Sequence, residues 1–372
     1  MKIGVPKEIK NHEYRVGMTP TSVREAVHHG HEVVVETGAG VGITATDDDY
    51  RAAGAAVLES AKEVFASADM IVKVKEPQAS ERKMLRDGQV LFTYLHLAPD
   101  PDQTRDLLDA GVVGIAYETV TSAQGGLPLL APMSQVAGRM SIQAGAHCLE
   151  REAGGRGVLL AGVPGVKPAK VVIVGGGVVG ENAAYMAVGM GADVTVLDRN
   201  VDTMRSLVRR FGQSIKTIYS TQLTLEEEIL AADLVIGAVL VPGAEAPKLI
   251  TREMVAAMKT GSVICDVAID QGGSAETSKP TTHADPTFVV DEVVHYCVAN
   301  MPGAVSHTST YALNNVTLPF ILALADKGHQ KALLDDPHLR NGLNVYRGHV
   351  THRAVAEDLN YDYVDPVSAL GE

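Results

Sequence analysis

The chain has 372 residues, of which 46% are hydrophobic and 21% are charged, and its net charge is −13. This composition excludes a disordered chain and is sufficient for about two domains with cores of ordinary size. The excess of acidic residues argues against nucleic acid or an anionic membrane surface as a partner, although a local basic pocket can still hold an anionic substrate.

No apolar run reaches the length of about 18 residues that a membrane-spanning helix needs, and the start, MKIGVPKEIKNHEYRVGMTP, lacks the apolar core of a signal peptide. The three cysteines, Cys148, Cys265 and Cys297, form neither a disulfide framework nor a C-x-x-C metal pair. We therefore expect a cytoplasmic protein whose cysteines are buried. The histidines at positions 28, 29 and 31 fit a solvated helix end better than a metal site, so no metal is predicted.

Residues 1–130 alternate short apolar runs with amphipathic ones, from KIGV and TSVREAVHHG through HEVVVE, DMIVKVK and QVLFTYLH to VVGIAYE. Strands that alternate with helices in this way predict a parallel sheet with helices on both faces. Four ionisable residues follow its strands: Arg15 lies after the first, and Lys75, His96 and Glu118 end three later ones. Each alone is as easily solvated or structural, but ligands bind outside the carboxyl ends of parallel strands, so we expect the four to converge.

From Ala131 to Ala153 the sequence predicts one long helix, with Pro132 in its first turn. Ser134 near its start can contact a cofactor or cap the helix. A connection rich in glycine and proline then leads to Lys170.

The segment Lys170 to Asp198, KVVIVGGGVVGENAAYMAVGMGADVTVLD, predicts a strand, a helix and a second strand with the spacing G-x-G-x-x-G. Gly175 permits the tight turn, Gly177 lets the backbone approach a pyrophosphate, and Gly180 lets the helix pack closely on the strand. This context makes the glycine pattern a dinucleotide-binding prediction.

The phosphates are expected at the start of the helix, Val178 and Val179, where unpaired N–H groups and the helix dipole favour an anion. Asp198 lies 18 residues beyond Gly180, at a strand end where a carboxylate binds ribose and repels a 2′-phosphate. NAD is therefore favoured over NADP, although Arg199 beside it weakens this preference. The alternative for Asp198 is a helix cap or a solvated strand end.

The α/β alternation continues to residue 304, and further strand ends bring candidates for cofactor contact. Val239 and Leu240 end one strand, Asp270 follows the next, and Asn300 and Met301 lie in ANMPG. The remainder, residues 305–372, reads as helical and apolar enough to pack on the first domain. The predicted fold class is α/β, with two Rossmann-like doubly wound parallel-sheet domains. A substrate domain (1–130, completed by 305–372) would enclose an inserted NAD-binding domain (131–304).

Beyond these patterns, the chain resembles the bacterial NAD-dependent alanine dehydrogenases over essentially its whole length. The resemblance rests on KIGVPKEIKNHEYRVGMTP, VKVKEP, LFTYLHLA, YETV, PLLAPMSQVAGRMSIQ, GGGVVG, DVAIDQGG and ANMPGAVSHTST. The α subunit of proton-translocating transhydrogenase shares several of these blocks, and saccharopine-type dehydrogenases are similar more remotely.

The resemblance implies that Arg15 and Lys75 bind the substrate and that His96 and Asp270 exchange protons during the interconversion of L-alanine with pyruvate and ammonia. It also implies a homohexamer and a set of residues that line NAD: Ser134, Asp198, Ser220, Val239, Leu240, Val267, Ala268, Ile269, Asp270, Val298, Ala299, Asn300 and Met301. Thr203 and Lys279 stand where the family often has arginine, and they are left out of the site.

Three alternatives remain at this point. A transhydrogenase-like NAD(H) subunit would exchange hydride with a partner's NADP, and a non-catalytic NAD-sensing protein would bind NADH without turnover. A saccharopine- or lysine-forming dehydrogenase would accept a longer acidic substrate.

Overall fold

The computed structural model of the protein describes residues 1–239 and 246–371. The chain divides into two compact units, one formed by Met1–Met133 with Val305–Glu372 and the other by Ser134–Ala304. We call them unit 1 and unit 2.

Within the described residues the chain forms fifteen strands. They are β1 (Lys2–Val5), β2 (Glu32–Glu36), β3 (Ala56–Leu58), β4 (Met70–Val72), β5 (Val90–Thr93), β6 (Val113–Ala116), β7 (Lys170–Val174), β8 (Asp193–Asp198), β9 (Ile215–Tyr219), β10 (Leu234–Gly237), β11 (Val263–Asp266), β12 (Thr287–Val290), β13 (Val293–Tyr296), β14 (Leu343–Tyr346) and β15 (His349–Val350).

The same residues form fifteen α-helices. They are α1 (Pro20–His28), α2 (Asp47–Ala52), α3 (Ala61–Ser67), α4 (Ala79–Arg82), α5 (Pro101–Asp109), α6 (Ala131–Cys148), α7 (Val178–Gly189), α8 (Val201–Phe211), α9 (Gln222–Ala231), α10 (Arg252–Ala257), α11 (Ser306–Lys327), α12 (His329–Asp335), α13 (Pro337–Arg340), α14 (Arg353–Leu359) and α15 (Pro366–Leu370). Short 3-10 turns follow several strands, among them Tyr117–Thr119, Val267–Gln271 and Met301–Val305.

The sheet of unit 1 has the order β15-β14-β6-β5-β4-β1-β2-β3. Strands β1 to β6 are parallel, and their order is the doubly wound 3-2-1-4-5-6 arrangement, in which the strand order reverses between the first and fourth strands. At the end of this sheet β14 runs antiparallel to β6 and β15 antiparallel to β14. The sequence interpretation missed β3, β14 and β15, because strands of two to four residues are too short to show a period of two.

The sheet of unit 2 has the order β12-β13-β11-β10-β7-β8-β9. It repeats the doubly wound order with parallel strands, and only β12 at its edge is antiparallel within the described sheet. Strand β7 shows why its sequence is continuously apolar: Val171 and Ile173 pack into one core, and Val172 and Val174 pack into the core on the opposite face. The predicted α/β class with two doubly wound sheets is confirmed, with the antiparallel edge strands as an addition.

The long helix predicted from Ala131 to Ala153 ends earlier, at Cys148. Leu149 is fully buried in the core of unit 2, and Glu150 adopts an extended backbone conformation before a separate 3-10 turn. The burial of Leu149 and the extended conformation of Glu150 turn the chain out of the helix.

The C-terminal helix α11 holds the loop that follows β1. The side-chain oxygen of Asn314 accepts the N–H of Thr19 at 2.8 Å, and its amide nitrogen donates to the carbonyl of Gly17 at 3.2 Å. Gly17 itself packs against strand β4 so closely that a Cβ would lie 2.3 Å from the carbonyl oxygen of Val72. The loop that carries Arg15 is therefore fixed from both sides.

Candidate functional site

The glycine loop of unit 2 joins β7 to α7, and its three predicted glycines have three different environments. Gly175 has φ = +101°, in the left-handed region that favours glycine. A Cβ at Gly180 would lie 1.8 Å from the carbonyl oxygen of Gly175, so that this glycine permits the helix to pack on the loop. Gly177 is the N-cap of α7, and no heavy atom beyond its chain neighbours lies within 4 Å of its Cβ position. The protein's own packing does not require glycine at position 177, so that the space above it suits the close approach of a ligand.

Asp198 ends β8 and contacts the glycine loop. Its Oδ2 accepts the N–H of Gly176 at 2.7 Å, and its Oδ1 accepts the N–H of Asn200 at 2.7 Å. The cap of α8 is supplied by Asn200, whose oxygen accepts the N–H groups of Asp202 and Thr203. Asp198 is thus not the cap of the helix, and its carboxylate is held beside the loop where the phosphates are expected.

Other predicted cofactor residues follow neighbouring strands. Ser220 follows β9, is 8% exposed and donates its N–H to the carbonyl of Asp198 at 2.9 Å. Val239 is half-buried two residues after β10, whereas Leu240 lies outside the described residues. Ser134 is half-buried in the first turn of α6.

The segment Val267–Asp270 follows β11 as part of a 3-10 turn whose N-cap is the buried Asp266. The carboxylate of Asp266 accepts the N–H of Ala268 at 3.2 Å, and it also accepts the N–H of Ser274 at 2.7 Å. Asp270 therefore lies four residues beyond the strand rather than directly at its end, because Asp266 caps the intervening turn. The side chain of Asp270 is exposed, whereas those of Ala268 and Ile269 are buried.

The segment Val298–Met301 presents its backbone more than its side chains. Val298 and Met301 are buried in the core of unit 2, so any contact that they make with a ligand would use main-chain atoms. Asn300 has φ = +60°, and Ala299 donates its N–H to the carbonyl of Thr281 at 3.2 Å.

The two residues left out of the site have contacts within unit 2. A Cβ at Gly176 would lie 3.1 Å from the methyl group of Thr203, and the ammonium of Lys279 lies 4.6 Å from the ring centroid of Phe288. These contacts are consistent with structural roles.

In unit 1, Arg15 is only 2% exposed. Its Nε and Nη2 atoms donate to the two carboxylate oxygens of Glu13, each at 2.6 Å, and its Nη1 lies 3.0 Å from the sulfur of Met133. Burial alone would lower the pKa of Arg15, but the hydrogen bonds and charge of Glu13 outweigh it and raise that pKa above its usual value. Arg15 is therefore a fixed, buried cation rather than an exposed loop residue.

Lys75 lies three residues beyond the end of β4, not at the end of the strand as the sequence predicts. The strand stops because a side chain replaces the ladder partner: Oε1 of Glu8 accepts the N–H of Val74 at 2.6 Å and that of Lys75 at 3.3 Å. Glu8 is in turn paired with the fully buried ammonium of Lys73 at 3.1 Å, which also donates to Glu81 at 2.7 Å. A buried ion network thus fixes the backbone of Lys75.

His96 likewise lies three residues beyond β5, and Glu118 lies two beyond β6. The carboxylate of Glu118 accepts the N–H of His96 at 2.6 Å and that of Leu95 at 3.1 Å. The imidazole is exposed, and it stacks on the ring of Tyr94 with 5.8 Å between the centroids.

Glu76 lies among these cations. Its Oε2 is 3.9 Å from Nδ1 of His96, and its Oε1 accepts a hydrogen bond from Lys10. Burial opposes ionisation of Glu76, but His96, Lys10 and Lys75 outweigh it and lower the pKa of this carboxyl to about 2. The carboxylate is therefore charged throughout the physiological range.

The structure brings the predicted residues of unit 1 together. Tyr94 stacks on His96 and is close enough to Arg15 for the positive charge to act on its buried hydroxyl, while Glu76 lies 3.9 Å from His96 and its ionised form is stabilised by the charge of Lys75. This cluster lies after β1, β4 and β5, at the switch point of the sheet. Sequence reasoning missed Glu8, Glu13, Glu76 and Tyr94. The signal for Glu13 and Glu76 was an acid within two residues of a predicted cation, which is also the pattern of an ordinary solvated loop. Glu8 and Tyr94 had no such signal.

Across residues 1–239 and 246–371, no group of three or more His, Cys, Asp or Glu side chains is placed to hold a metal ion. None of the helices in that part of the chain is both long enough and apolar enough to cross a membrane.

The glycine loop, the carboxylate after the second strand and the doubly wound sheet place unit 2 in the class of dinucleotide-binding α/β folds. The chain belongs to the alanine dehydrogenase/PNT family. The family model "Alanine dehydrogenase/PNT, N-terminal domain" matches residues 4–137, and "Alanine dehydrogenase/PNT, C-terminal domain" matches residues 141–353.

Several relatives that match over their full length are named alanine dehydrogenase. Proteins called alanine dehydrogenase from Halomonas elongata, Bacillus subtilis and Mycobacterium tuberculosis (strain H37Rv) are 61%, 56% and 53% identical to the chain, which they cover completely. The chain in turn covers 100%, 98% and 100% of them.

Solved structures agree with this membership. An L-alanine dehydrogenase structure with 54% identity superposes with a TM-score of 0.94, covering 97% of this chain and 99% of its own. A transhydrogenase from Sinorhizobium meliloti is similar at 26% identity and a TM-score of 0.82, covering 95% of this chain and 100% of its own.

Proposed function

We propose that the chain catalyses the reversible, NAD-dependent oxidative deamination of L-alanine to pyruvate and ammonia. The observation that carries the proposal is the cluster of Arg15, Lys75 and His96 at the switch point of one sheet, in a chain whose other sheet carries a dinucleotide-type glycine loop. Identity of 53–61% to proteins named alanine dehydrogenase, over the full length, supports the same activity. Unit 1 would carry the substrate residues and unit 2 the cofactor residues.

The residues of unit 2 suit NAD. Gly177 leaves open space where a pyrophosphate would approach the start of α7, at Val178 and Val179, and Gly175 and Gly180 shape the loop. Asp198 would accept hydrogen bonds from the adenosine ribose and disfavour a 2′-phosphate. NAD, when bound, supplies the hydride acceptor of the reaction.

Arg15 and Lys75 would bind the two oxygen-bearing parts of the substrate. Arg15 is held rigid by Glu13, and a guanidinium presents a planar set of donors that matches a carboxylate. Lys75 is a compact cation that can polarise the keto oxygen of pyruvate in the reverse direction. Arg15 is paired with the buried carboxylate of Glu13, and the charge of Lys75 acts on the ionised Glu76, before an anionic substrate arrives.

His96 and Asp270 would move the protons. An imidazole exchanges protons near neutral pH, and that of His96 is exposed while its backbone is fixed. The exposed carboxylate of Asp270 can direct the water that adds to the imine of the oxidised substrate. The same two groups would protonate the departing ammonia and deprotonate the added water.

A transhydrogenase-like NAD(H)-binding function is the second candidate. It is favoured by the similarity to the Sinorhizobium meliloti transhydrogenase structure. A protein with that function would have no need of turnover with an amino acid.

For the assembled protein we propose a cytoplasmic homohexamer. The three cysteines are buried and unpaired, as is usual in a reducing compartment. The hexamer rests on the family resemblance.

The test is the formation of NADH from L-alanine and NAD, measured beside a His96→Ala variant and beside L-lysine, L-leucine and NADP. We expect turnover that requires alanine and NAD and that is strongly slowed, but not abolished, by His96→Ala. NADH binding by a folded protein without such turnover would favour the transhydrogenase-like or NAD-sensing function, and preference for lysine would indicate the saccharopine-type dehydrogenases.

A further inference from the structure

The turn after β5 carries His96, and its backbone is held by one carboxylate. Strand β5 ends at Thr93, so that Leu95 and His96 have left the ladder of the sheet. Oε1 of Glu118 accepts the N–H of His96 at 2.6 Å and that of Leu95 at 3.1 Å, and Oε2 accepts the N–H of Leu95 at 3.2 Å. Two successive N–H groups thus converge on one anion.

The conformation that these bonds hold is an unusual one. His96 has φ = +48°, in a region that a residue with a Cβ adopts only when its surroundings impose it. On the other side of the turn, the buried side chain of Gln103 donates to the carbonyl of Leu95 at 2.5 Å, and Thr104 donates to the carbonyl of Leu97 at 3.0 Å. The peptide groups around His96 are therefore fixed by side chains on both sides.

The backbone conformation decides where the imidazole lies. With φ at +48°, the ring stacks on Tyr94 at an interplanar angle of 24° and brings its Nδ1 to 3.9 Å from Glu76. A relaxed φ in the ordinary negative range would rotate the Cα–Cβ bond and carry the ring away from both contacts. The exposed ring has little packing of its own to prevent this.

We infer that Glu118 is a positioning residue of the reaction, which acts through His96 by holding the turn in the conformation that places the imidazole. The inference rests on the proposed function, and it assigns to Glu118 no contact with the substrate. Its chemistry is that of a charged acceptor: Oε1 accepts from both N–H groups and Oε2 from that of Leu95, whereas glutamine would offer a neutral, weaker acceptor and turn its NH₂ group toward the N–H of Leu95.

Glu118→Gln is accordingly the decisive substitution, because it keeps the shape, removes the negative charge that both N–H groups face and replaces the acceptor Oε2 with an NH₂ group. We expect kcat for alanine oxidation to fall about 10- to 100-fold, a part of the factor that a proton-transfer group contributes, while KM for L-alanine changes less than about threefold. Asp102→Asn, which removes an exposed carboxylate of α5 in the same unit, is the matched control and should leave both constants unchanged.

The double variant separates positioning from a direct role. In a His96→Asn background, Glu118→Gln should lower kcat less than about twofold, since there is no imidazole left to place. An equal loss of kcat in both backgrounds, or a loss confined to KM, would overturn the inference. If the glutamine variant does not fold, as judged by NADH binding and circular dichroism, Glu118→Asp is carried through the same cycle and decides by the same criterion.

The wild-type protein keeps the two proposals apart. If the wild type turns over L-alanine but the effects of Glu118→Gln and His96→Asn on kcat are additive, the positioning role is contradicted and the proposed function is not. Absence of wild-type turnover contradicts the proposed function, and the role of Glu118 with it.

Discussion

The two candidate sites lie at equivalent positions of two sheets with the same doubly wound strand order, yet one is formed by backbone groups and the other by charged side chains. The glycine loop of unit 2 presents backbone N–H groups, and its glycines leave room for close packing and for a ligand because they have no side chains. The cluster of unit 1 presents charged side chains, and a carboxylate contacts each of the three predicted residues: Glu13 pairs with the guanidinium of Arg15, Glu8 accepts the backbone N–H of Lys75, and Glu118 accepts that of His96. The glycine loop therefore depends on the space that is left where side chains are missing. The charged cluster depends on a negative charge close to each buried or partly buried positive charge.

The largest effect should come from removing the buried positive charge of Lys73 in unit 1. Lys73→Met leaves Glu8 and Glu81 buried without their shared cation. An uncompensated buried charge costs about 3–5 kcal/mol, and we expect a loss of that size in the free energy of unfolding, measured by urea denaturation. Lys62→Met, at an exposed position of α3, is the matched control and should change this free energy by less than about 0.5 kcal/mol. A loss below about 1 kcal/mol for Lys73→Met would show that unit 1 does not depend on charge compensation.

The glycine loop should respond to volume instead. Gly180→Ala places a Cβ against the carbonyl oxygen of Gly175 and should destabilise the protein by about 3 kcal/mol, at the upper end of overpacking costs. Gly177→Ala meets no protein atom, and as a change at the N-cap of α7 it should lower stability by no more than about 1 kcal/mol. It should nevertheless weaken NADH binding at least about tenfold, as measured by fluorescence titration. Unchanged NADH affinity in a folded Gly177→Ala protein would contradict the placement of the pyrophosphate.

A smaller effect concerns pH. The pKa of Glu76 is lowered to about 2 in the folded protein, from 4.5 for an ordinary glutamate, so that its charge stabilises the fold above about pH 4.5 and loses this effect as the pH falls toward 2. Glu76→Gln should therefore lower the free energy of unfolding by roughly 1–3 kcal/mol at pH 7, and the difference from wild type should shrink between pH 5 and pH 2.

Glu59→Gln is the matched control for this titration, because Glu59 is exposed. Its difference from wild type should stay near zero at every pH. A gap for Glu76→Gln that is constant between pH 7 and pH 3 would mean that packing, and not the charge, accounts for the loss.

The contrast between the sites also explains how much the sequence could predict. Gly175, Gly180 and Asp198 were recognisable because a left-handed turn, a helix packed on backbone and a strand end each demand a particular residue type at a fixed spacing. The parallel strands were recognisable because burial on both faces requires continuous apolar runs such as that of β7. These requirements involve residues that are close in sequence, so that a short stretch of sequence is enough to recognise them.

The compensation network of unit 1 was not recognisable for the opposite reason. Glu8 and Glu13 belong to the stretch KEIKNHEYR, whose composition is that of a solvated loop, and only long-range packing buries them. The strand ends before Lys75 and His96 were misplaced because distant carboxylates, not the residues themselves, replace the ladder bonds there. Charges whose partners are distant in sequence leave no periodic signal.

The most direct test of the whole account follows the hydrogen atom itself. L-alanine deuterated at Cα is incubated with NAD and the protein, and the NADH formed is examined by mass spectrometry. We predict one deuterium atom in each NADH molecule, with the wild type and, at a slower rate, with His96→Asn, because the role proposed for the imidazole is the transfer of protons and not of the hydride. NADH without deuterium, or a folded protein that binds NADH and forms none from alanine, would contradict it.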